Sequence, residues 1–331
     1  MTQPRRPLHA AFLTYPPFGP TQLDSAFESR WPRIHGPLRH ALDGWFAGGG
    51  GTCHLVPFEG ELEELANLEI DVVCFPELVH LAQDQENWNR AHAMMFAACE
   101  RAGDRMAIVD PPPDLTPQEV KDWRINSSGA DTAYGALYYP WVRVAAPNGD
   151  LVTVPSCGHV AAAWARAAHS PGNLVLEGVL DVATDLTGPE LDILTPVGIN
   201  ALRAISGWGI RTCGVRTLSS EPALRRIATT RLLNVLRRAT FRGDEADTER
   251  QVRELTGLAG DDLTVTHAGR QISFQISAPP GVVPDALNTS GSRSVPSKVT
   301  VRLSPRITGA EALMITADLG SGEWVVQPAE V

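Results

Sequence analysis

Two periodicities divide this chain of 331 residues. From residue 9 to residue 168, short apolar runs alternate with stretches in which apolar residues recur every three or four positions. After Gly243 the apolar residues recur every second position. The first pattern is that of strands followed by helices, and the second is that of half-buried strands. A length of this order makes one large domain or two small ones. With 43 % apolar and 20 % charged residues, the material for a substantial core is present. The expectation is an α/β (α+β) protein. A mixed β-sheet core flanked by helices occupies residues 1–242, and a β-rich C-terminal portion occupies 243–331.

The individual elements follow from local pattern. HAAFLTY (9–15), TCHLVPF (52–58), IDVVCFP (70–76) and RMAIVDPPP (105–113) read as strands, the last stopped by three prolines that cannot donate to a ladder. GPLRHALDGWF (36–46) sets Leu38, Leu42, Trp45 and Phe46 at helical spacing, and GGGG (48–51) ends it. A short acidic helix follows at 61–68. Over 84–102, Trp88, His92, Met95, Phe96 and Cys99 share one helical side. TPQEVKDWR (116–124) opens with Thr116 as N-cap, Pro117 at the first helical position and Glu119 at the third, a capping box. GALYYPWVRVAAPNGD (135–150) is strand and turn, LVTVPS returns, and 158–168 is an Ala-rich helix. INALRAI and GIRTCGVR are further strands, close together. A helix over 223–240 carries Leu224, Ile227, Leu232, Val235 and Leu236 on its apolar side, and 245–258 is a short charged helix. DLTVTH, RQISFQIS, KVTVRLS, ALMITADL and EWVVQ close the chain as strands, with a long flexible connection at 278–297.

Several function classes fit poorly. A formal net charge of −10 argues against a general nucleic-acid binder. The N-terminus has no signal-peptide pattern, and no window approaches the roughly 20 apolar residues of a membrane span. The five cysteines are scattered and odd in number, which suits reduced, mostly buried thiols of a cytoplasmic protein. GGGG lies between a helix and a strand, the reverse of the order that cradles phosphate. Cys53-His54 and Cys157/His159 lack the spacing of metal ligands. Cys157 with His159, or Asp110 and Asp114 after a strand, are the only hints of a hydrolase. A turn before a helix and a rigid exit loop account for them equally simply. No cofactor, metal or catalytic group is expected.

The stretch 214–238 runs from a strand through RTLSSEP into the basic segment RRIATTRLLNVLRR. Ser219-Ser220-Glu221-Pro222 supplies an N-cap and a proline start for the helix after it. Arg226, Arg237 and Arg238 fall near one face, away from the leucines. That face is either ordinary solvated surface or a basic contact for an acidic partner.

In chain order, LRHALDGWFAGGGGTCHLVPF, ERAGDRMAIVDPPPDLTPQEVKDWR, YGALYYPWVRV, VPSCGHVAAAWAR, LDILTPVGINALRAISGWGIRTCGVRTLSSEP and GRQISFQISAPPGVVP resemble the tail sheath proteins of contractile phages and contractile injection systems. The resemblance is closest over 85–240. It implies a structural, non-enzymatic subunit of a phage tail or phage tail-like particle. Such subunits stack as hexameric rings around an inner tube, join one another by strand addition, and meet baseplate or cap proteins at the ends, without direct nucleic-acid or membrane contact. It makes Arg225, Arg226, Arg237 and Arg238 candidate contacts to tube or neighbours. It also makes 298–331 a possible strand-exchange arm, with Lys298, Val299, Val301 and Leu303 as candidate contacts.

The chain also departs from the family pattern. The usual extended N-terminal arm and the large insertion after the early strands are missing. Leu224 and Arg226 stand where the family has Trp and Tyr. KVTVRLS stands in for the final strand behind a linker, and ALMITADLGSGEWVVQ is additional. The departures suggest a minimal or paralogous sheath working at a sheath end. The alternatives are a non-contractile baseplate or cap adaptor, and an α/β hydrolase using Cys157 or Asp110.

Overall fold

The computed structural model describes residues 8–15, 21–25, 34–60, 62–82, 84–146, 148–167, 173–239, 245–256, 263–276, 289–303, 312–319 and 321–329. The chain forms two compact units that divide between Arg237 and Arg238.

The first unit is built on an eight-stranded sheet. Its early strands are β1 (Ala10–Thr14), β2 (Thr21–Leu23), β3 (Cys53–Pro57), β4 (Val72–Cys74), β5 (Met106–Val109) and β6 (Gly135–Tyr139). Further along the chain, β10 (Ile199–Ile205) and β11 (Gly209–Cys213) complete it, in the order β11-β10-β6-β5-β4-β1-β3-β2. The strands from β10 to β3 run parallel, and β2 and β11 are antiparallel edges. A parallel sheet must be covered on both faces, and the sequence supplies both covers. Phe12, Leu55, Met106, Ile108 and Tyr138 point to one face, where helices α1 (Gly36–Ala47) and α5 (Cys157–Arg166) bring Trp45 and Trp164. Leu13, Val56, Val73, Val109 and Leu137 point to the other. There α3 (Gln85–Ala102), α4 (Pro117–Asn126) and α6 (Gly188–Leu194) bring Trp88, Met95, Trp123 and Leu194. A short helix, α2 (Leu78–Leu81), joins β4 to α3.

The local readings over these elements hold. Gly48 ends α1, and Thr116 and Glu119 form the capping box of α4 behind Pro117. All five residues assigned to the apolar side of α3 are buried. The acidic helix is one 3₁₀ turn, Glu63–Asn67. The buried tryptophans each find an acceptor for the indole N–H: Gly51 for Trp45, Asp110 for Trp88, Asn89 for Trp123, Pro111 for Trp141, and Tyr138 for Trp164.

Three readings change. The strand expected from residue 135 onward breaks at Pro140. Beyond it, β7 (Val142–Ala145) joins a separate three-stranded sheet, β8-β7-β9, with β8 (Leu151–Val154) and β9 (Asp181–Val182). The helix expected over 223–240 is shorter, because Pro222–Leu224 is a 3₁₀ turn and helix α7 spans Ile227–Arg237. The part of the expected flexible connection from Thr289 onward is strand.

The second unit holds α8 (Glu245–Thr256) and a four-stranded antiparallel meander. Its strands are β12 (Leu263–Ile276), β13 (Thr289–Leu303), β14 (Leu313–Asp318) and β15 (Glu323–Pro328), in sequence order. Residues 289–296 pair with 269–276 of β12, which is why they join the ladder, and the register shifts between Ala268 and Gly269. Residues 277–288 lie outside the described residues. Val265, Val299, Val301, Leu303, Leu313, Ile315 and Ala317 are buried, as alternation predicts.

Candidate assembly surfaces

The joint between β11 and α7 is specified by long-range contacts. Arg216 and Arg226 face each other in an antiparallel bridge, and Thr217 N donates to Arg225 O at 2.9 Å. Ile227 N donates to Val215 O at 3.0 Å. The backbone of 225–227 is therefore occupied by strand-like pairing, and the helix cannot begin until Ile227. Ser219–Glu221 do not cap α7. Ser220 instead gives its amide and hydroxyl to Asp131, at 2.8 and 2.5 Å. The Thr217 hydroxyl donates to Leu224 O at 2.7 Å. Asn200 Nδ2 donates to Arg216 O and Asn200 Oδ1 accepts from Arg216 N, so the joint is tied to β10 as well. The Ser220 bonds, then Arg124 and Arg225, lower the pKa of Asp131.

The four arginines expected as contacts, three of them on one basic face, are divided among different tasks. Arg225 is exposed and donates through Nε and Nη2 to Ser220 O at 2.9 and 2.7 Å. Arg226 is half-buried; burial, then Arg216 opposite, lowers its pKa. Arg237 donates to Gly103 O and to the Tyr134 hydroxyl, anchoring the end of α7 to the loop after α3 and to the start of β6. Arg238 is half-buried and lies in the second unit. Arg231, on the same helix, stacks on Trp164 at 5.1 Å and donates to Trp164 O and Ala167 O.

Lys298 is exposed, whereas Val299, Val301 and Leu303 are buried. They sit on β13, which is paired on both sides, to β12 and to β14. The open edges of this sheet, among the described residues, belong to β12 and β15. β15 is largely exposed along its length. Unpaired N–H and C=O groups along such an edge are donors and acceptors for another strand.

The hydrolase alternative turns on Asp110, Cys157 and His159. Asp110 follows β5 and is fully inside. It accepts from Ser156 N and Oγ at 2.7 and 2.6 Å and from Cys157 N at 3.3 Å, so it caps the start of α5. Burial raises its pKa, with those hydrogen bonds opposing. Burial, with smaller contributions from Cys74 and Asp110, raises the Cys157 thiol pKa well above its ordinary value. That is the opposite of an activated thiolate. His159 packs into Gly44 of α1, and burial lowers its pKa to about 4. The cavity next to Asp110 is small and lined mainly by Phe75, Leu78, Trp88, Met95 and Ile108. Among the described residues no three His, Cys, Asp or Glu side chains come together as a metal site. Also among them, no helix is long and apolar enough to cross a membrane.

No protein-family model matches the chain, and no curated protein does. Solved structures do. A chain of the helical sheath of the anti-feeding prophage (AFP) in its contracted state matches with a TM-score of 0.57 at 21 % identity, over 87 % of this chain and 88 % of its own. The PVC sheath complex of an extracellular contractile injection system, also contracted, matches with a TM-score of 0.58 at 18 % identity, over 86 % of both chains. This chain has the sheath fold. The sheath fold also links it to a chain of the AFP baseplate, with a TM-score of 0.54 at 22 % identity over 78 % of this chain and 82 % of that one. The expected α/β class with a β-rich C-terminal portion and the resemblance in fold are thus both found. Sequence reading missed Asp131 as the partner of the joint, because no local pattern links residue 131 to residue 220.

Proposed function

We propose that the chain is a structural subunit of a contractile tail-like particle, packing around an inner tube and joining its neighbours by strand addition. The observation that carries this reading is the sheath fold over nearly the whole chain, together with a C-terminal sheet whose two outer strands, among the described residues, pair on one side only. Main-chain hydrogen bonds across such an edge hold partners together while the rigid units rotate. Other copies of the chain, a tube protein and baseplate or cap proteins are its partners in this reading. Arg225, Arg226, Arg237, Arg238 and Lys298 are its candidate polar contacts. Val299, Val301 and Leu303 would act by holding β13 as the centre of the sheet that receives a neighbour's strand.

Negative-stain microscopy of the purified protein tests this. Rings or tubular polymers are expected, and their loss is expected when a proline replaces Val325 on β15. A protein that stays monomeric at all concentrations and in the isolated particle would defeat it. The match to a baseplate chain favours a second reading, a baseplate adaptor that binds the particle without polymerising. Cryo-EM of the native particle separates the two by showing the chain along the trunk or at one end only.

A further inference from the structure

The α/β unit is electrically polar along its sheet. Between Arg39 and Arg90 the chain carries ten carboxylates and neither lysine nor arginine. Between Asp192 and Arg238 it carries seven arginines and one carboxylate, Glu221. The outermost strands of these stretches, β3 and β11, lie toward opposite edges of the sheet. The acidic one supplies β3, beside the edge strand β2, and the turn that leads to β4. The basic one supplies β10 and the opposite edge strand β11, with the joint that follows.

Each side presents a formed surface. On the basic side, α4, the turn before β10 and the joint enclose an open cleft of about 400 Å³. Its charged lining is Arg124, Arg216, Arg225 and Asp131. Three guanidinium groups face one carboxylate there, and Asp131 also takes the amide and hydroxyl of Ser220. The nearby amides of Ser219, Ser220 and Glu221 are consumed within the loop, by Thr217, Asp131 and Ser219. Arg225 already gives Nε and Nη2 to Ser220 O, and Arg124 gives Nη1 to Ser128 Oγ and Nη2 to Leu218 O. The guanidinium of Arg216 and the remaining N–H groups of the other two are what a planar carboxylate would meet. On the acidic side, Glu59, Glu63 and Glu64 are exposed, and among the described residues their carboxylates meet no cation. The buried Leu62, at φ 58°, and Leu65 hold the turn that displays them.

We propose that the cleft of Arg124, Arg216 and Arg225 receives the acidic turn Glu59–Glu64 of a second copy of this chain. The two surfaces differ and lie at different ends of one sheet, so the contact is head-to-tail and repeats from copy to copy. It rests on the reading of the chain as a repeating subunit, and adds a charge-directed contact between α/β units to the joining of strands.

The test uses the full-length protein and a labelled peptide of residues 57–66. Fluorescence anisotropy at low salt is expected to show saturable binding. Raising the salt to about 0.5 M is expected to weaken it by roughly tenfold or more. A similar loss is expected when Glu63 and Glu64 of the peptide become Gln, a change that leaves the protein untouched. The protein variants Arg216→Gln and Arg225→Gln combined should lose binding too, with the melting temperature confirming that they fold. Absence of binding, or binding indifferent to these glutamates and arginines, overturns the proposal. Peptide binding without polymers would instead defeat the sheath reading, and polymers without peptide binding would defeat only this contact.

Discussion

The carboxylate of Asp110 receives both the amide and the hydroxyl of Ser156, at 2.7 and 2.6 Å, and so joins the exit of β5 to the entrance of α5. The two residues are 46 positions apart. Replacing Asp110 by Ala strands the Ser156 and Cys157 amides inside the protein. Each buried donor without an acceptor costs about 1–3 kcal/mol. Urea unfolding is expected to show a loss of roughly 3 kcal/mol for Asp110→Ala, and an unchanged free energy would refute the capping role.

Gly158 of α5 lies against Ala41 of α1. A methyl at Gly158 would stand 2.5 Å from the Ala41 carbonyl oxygen and 2.7 Å from its Cα, and backbone has nowhere to go. Gly158→Ala is expected to lower stability by about 1–3 kcal/mol despite the better helix propensity of alanine. Gly188→Ala, where a methyl meets nothing within 4 Å, should change it by less than about 0.5 kcal/mol. Equal melting temperatures for the two variants would contradict the close approach.

His92 and His159 are neutral inside the core. Burial lowers their pKa values to about 3 and about 4, from an ordinary value of 6.5. The unfolded chain takes up protons below pH 6.5 while the folded protein does not. Stability is therefore complete above pH 6.5 and declines as pH falls toward 4 and 3. His92 packs among the rings of Trp88, Phe96 and Trp123, so His92→Phe keeps the aromatic packing and removes one titrating group. Between pH 7.5 and 5 the variant should lose about 2 kcal/mol less than the parent. Parallel losses would show that His92 is not buried neutral.

Asp131 holds the joint through Ser220. In Asp131→Ala, hydrogen exchange at the Ser220 amide should quicken by roughly tenfold or more, with the interior of α7 unaffected. Because the folded state lowers the Asp131 pKa, its contribution is present at neutral pH and fades as pH falls through the carboxylate range. Uniform acceleration along α7 would mean that the bridge alone does not define where the helix starts.

Much of the first unit was legible because its causes are local. The capping box of Thr116 and Glu119 and the single buried face of α3 are written within one element each. The alternation of Phe12 and Leu13 between the two faces of the sheet follows from strand geometry in the same way. What escaped depends on distant partners. Ser219–Glu221 carry the signature of a helix start, yet the bridge of Arg216 and Arg226 delays the helix and Asp131 takes the serine. The strand from residue 289 looked like linker because its Gly, Ser and Pro content hid the long ladder to β12. The basic residues of α7 were visible as cations. Their division into surface and scaffold was not, because Arg237 reaches Gly103, 134 positions away.

The meeting of Gly158 with Ala41 has a mechanical consequence. The backbones meet at Gly158 and Ala41, and the His159 ring seated against Gly44 keys the same two helices together on one face of the sheet. The segment from α1 to α5 thus behaves as a stiff block, and any change of subunit shape has to be absorbed by the joints and edges around it.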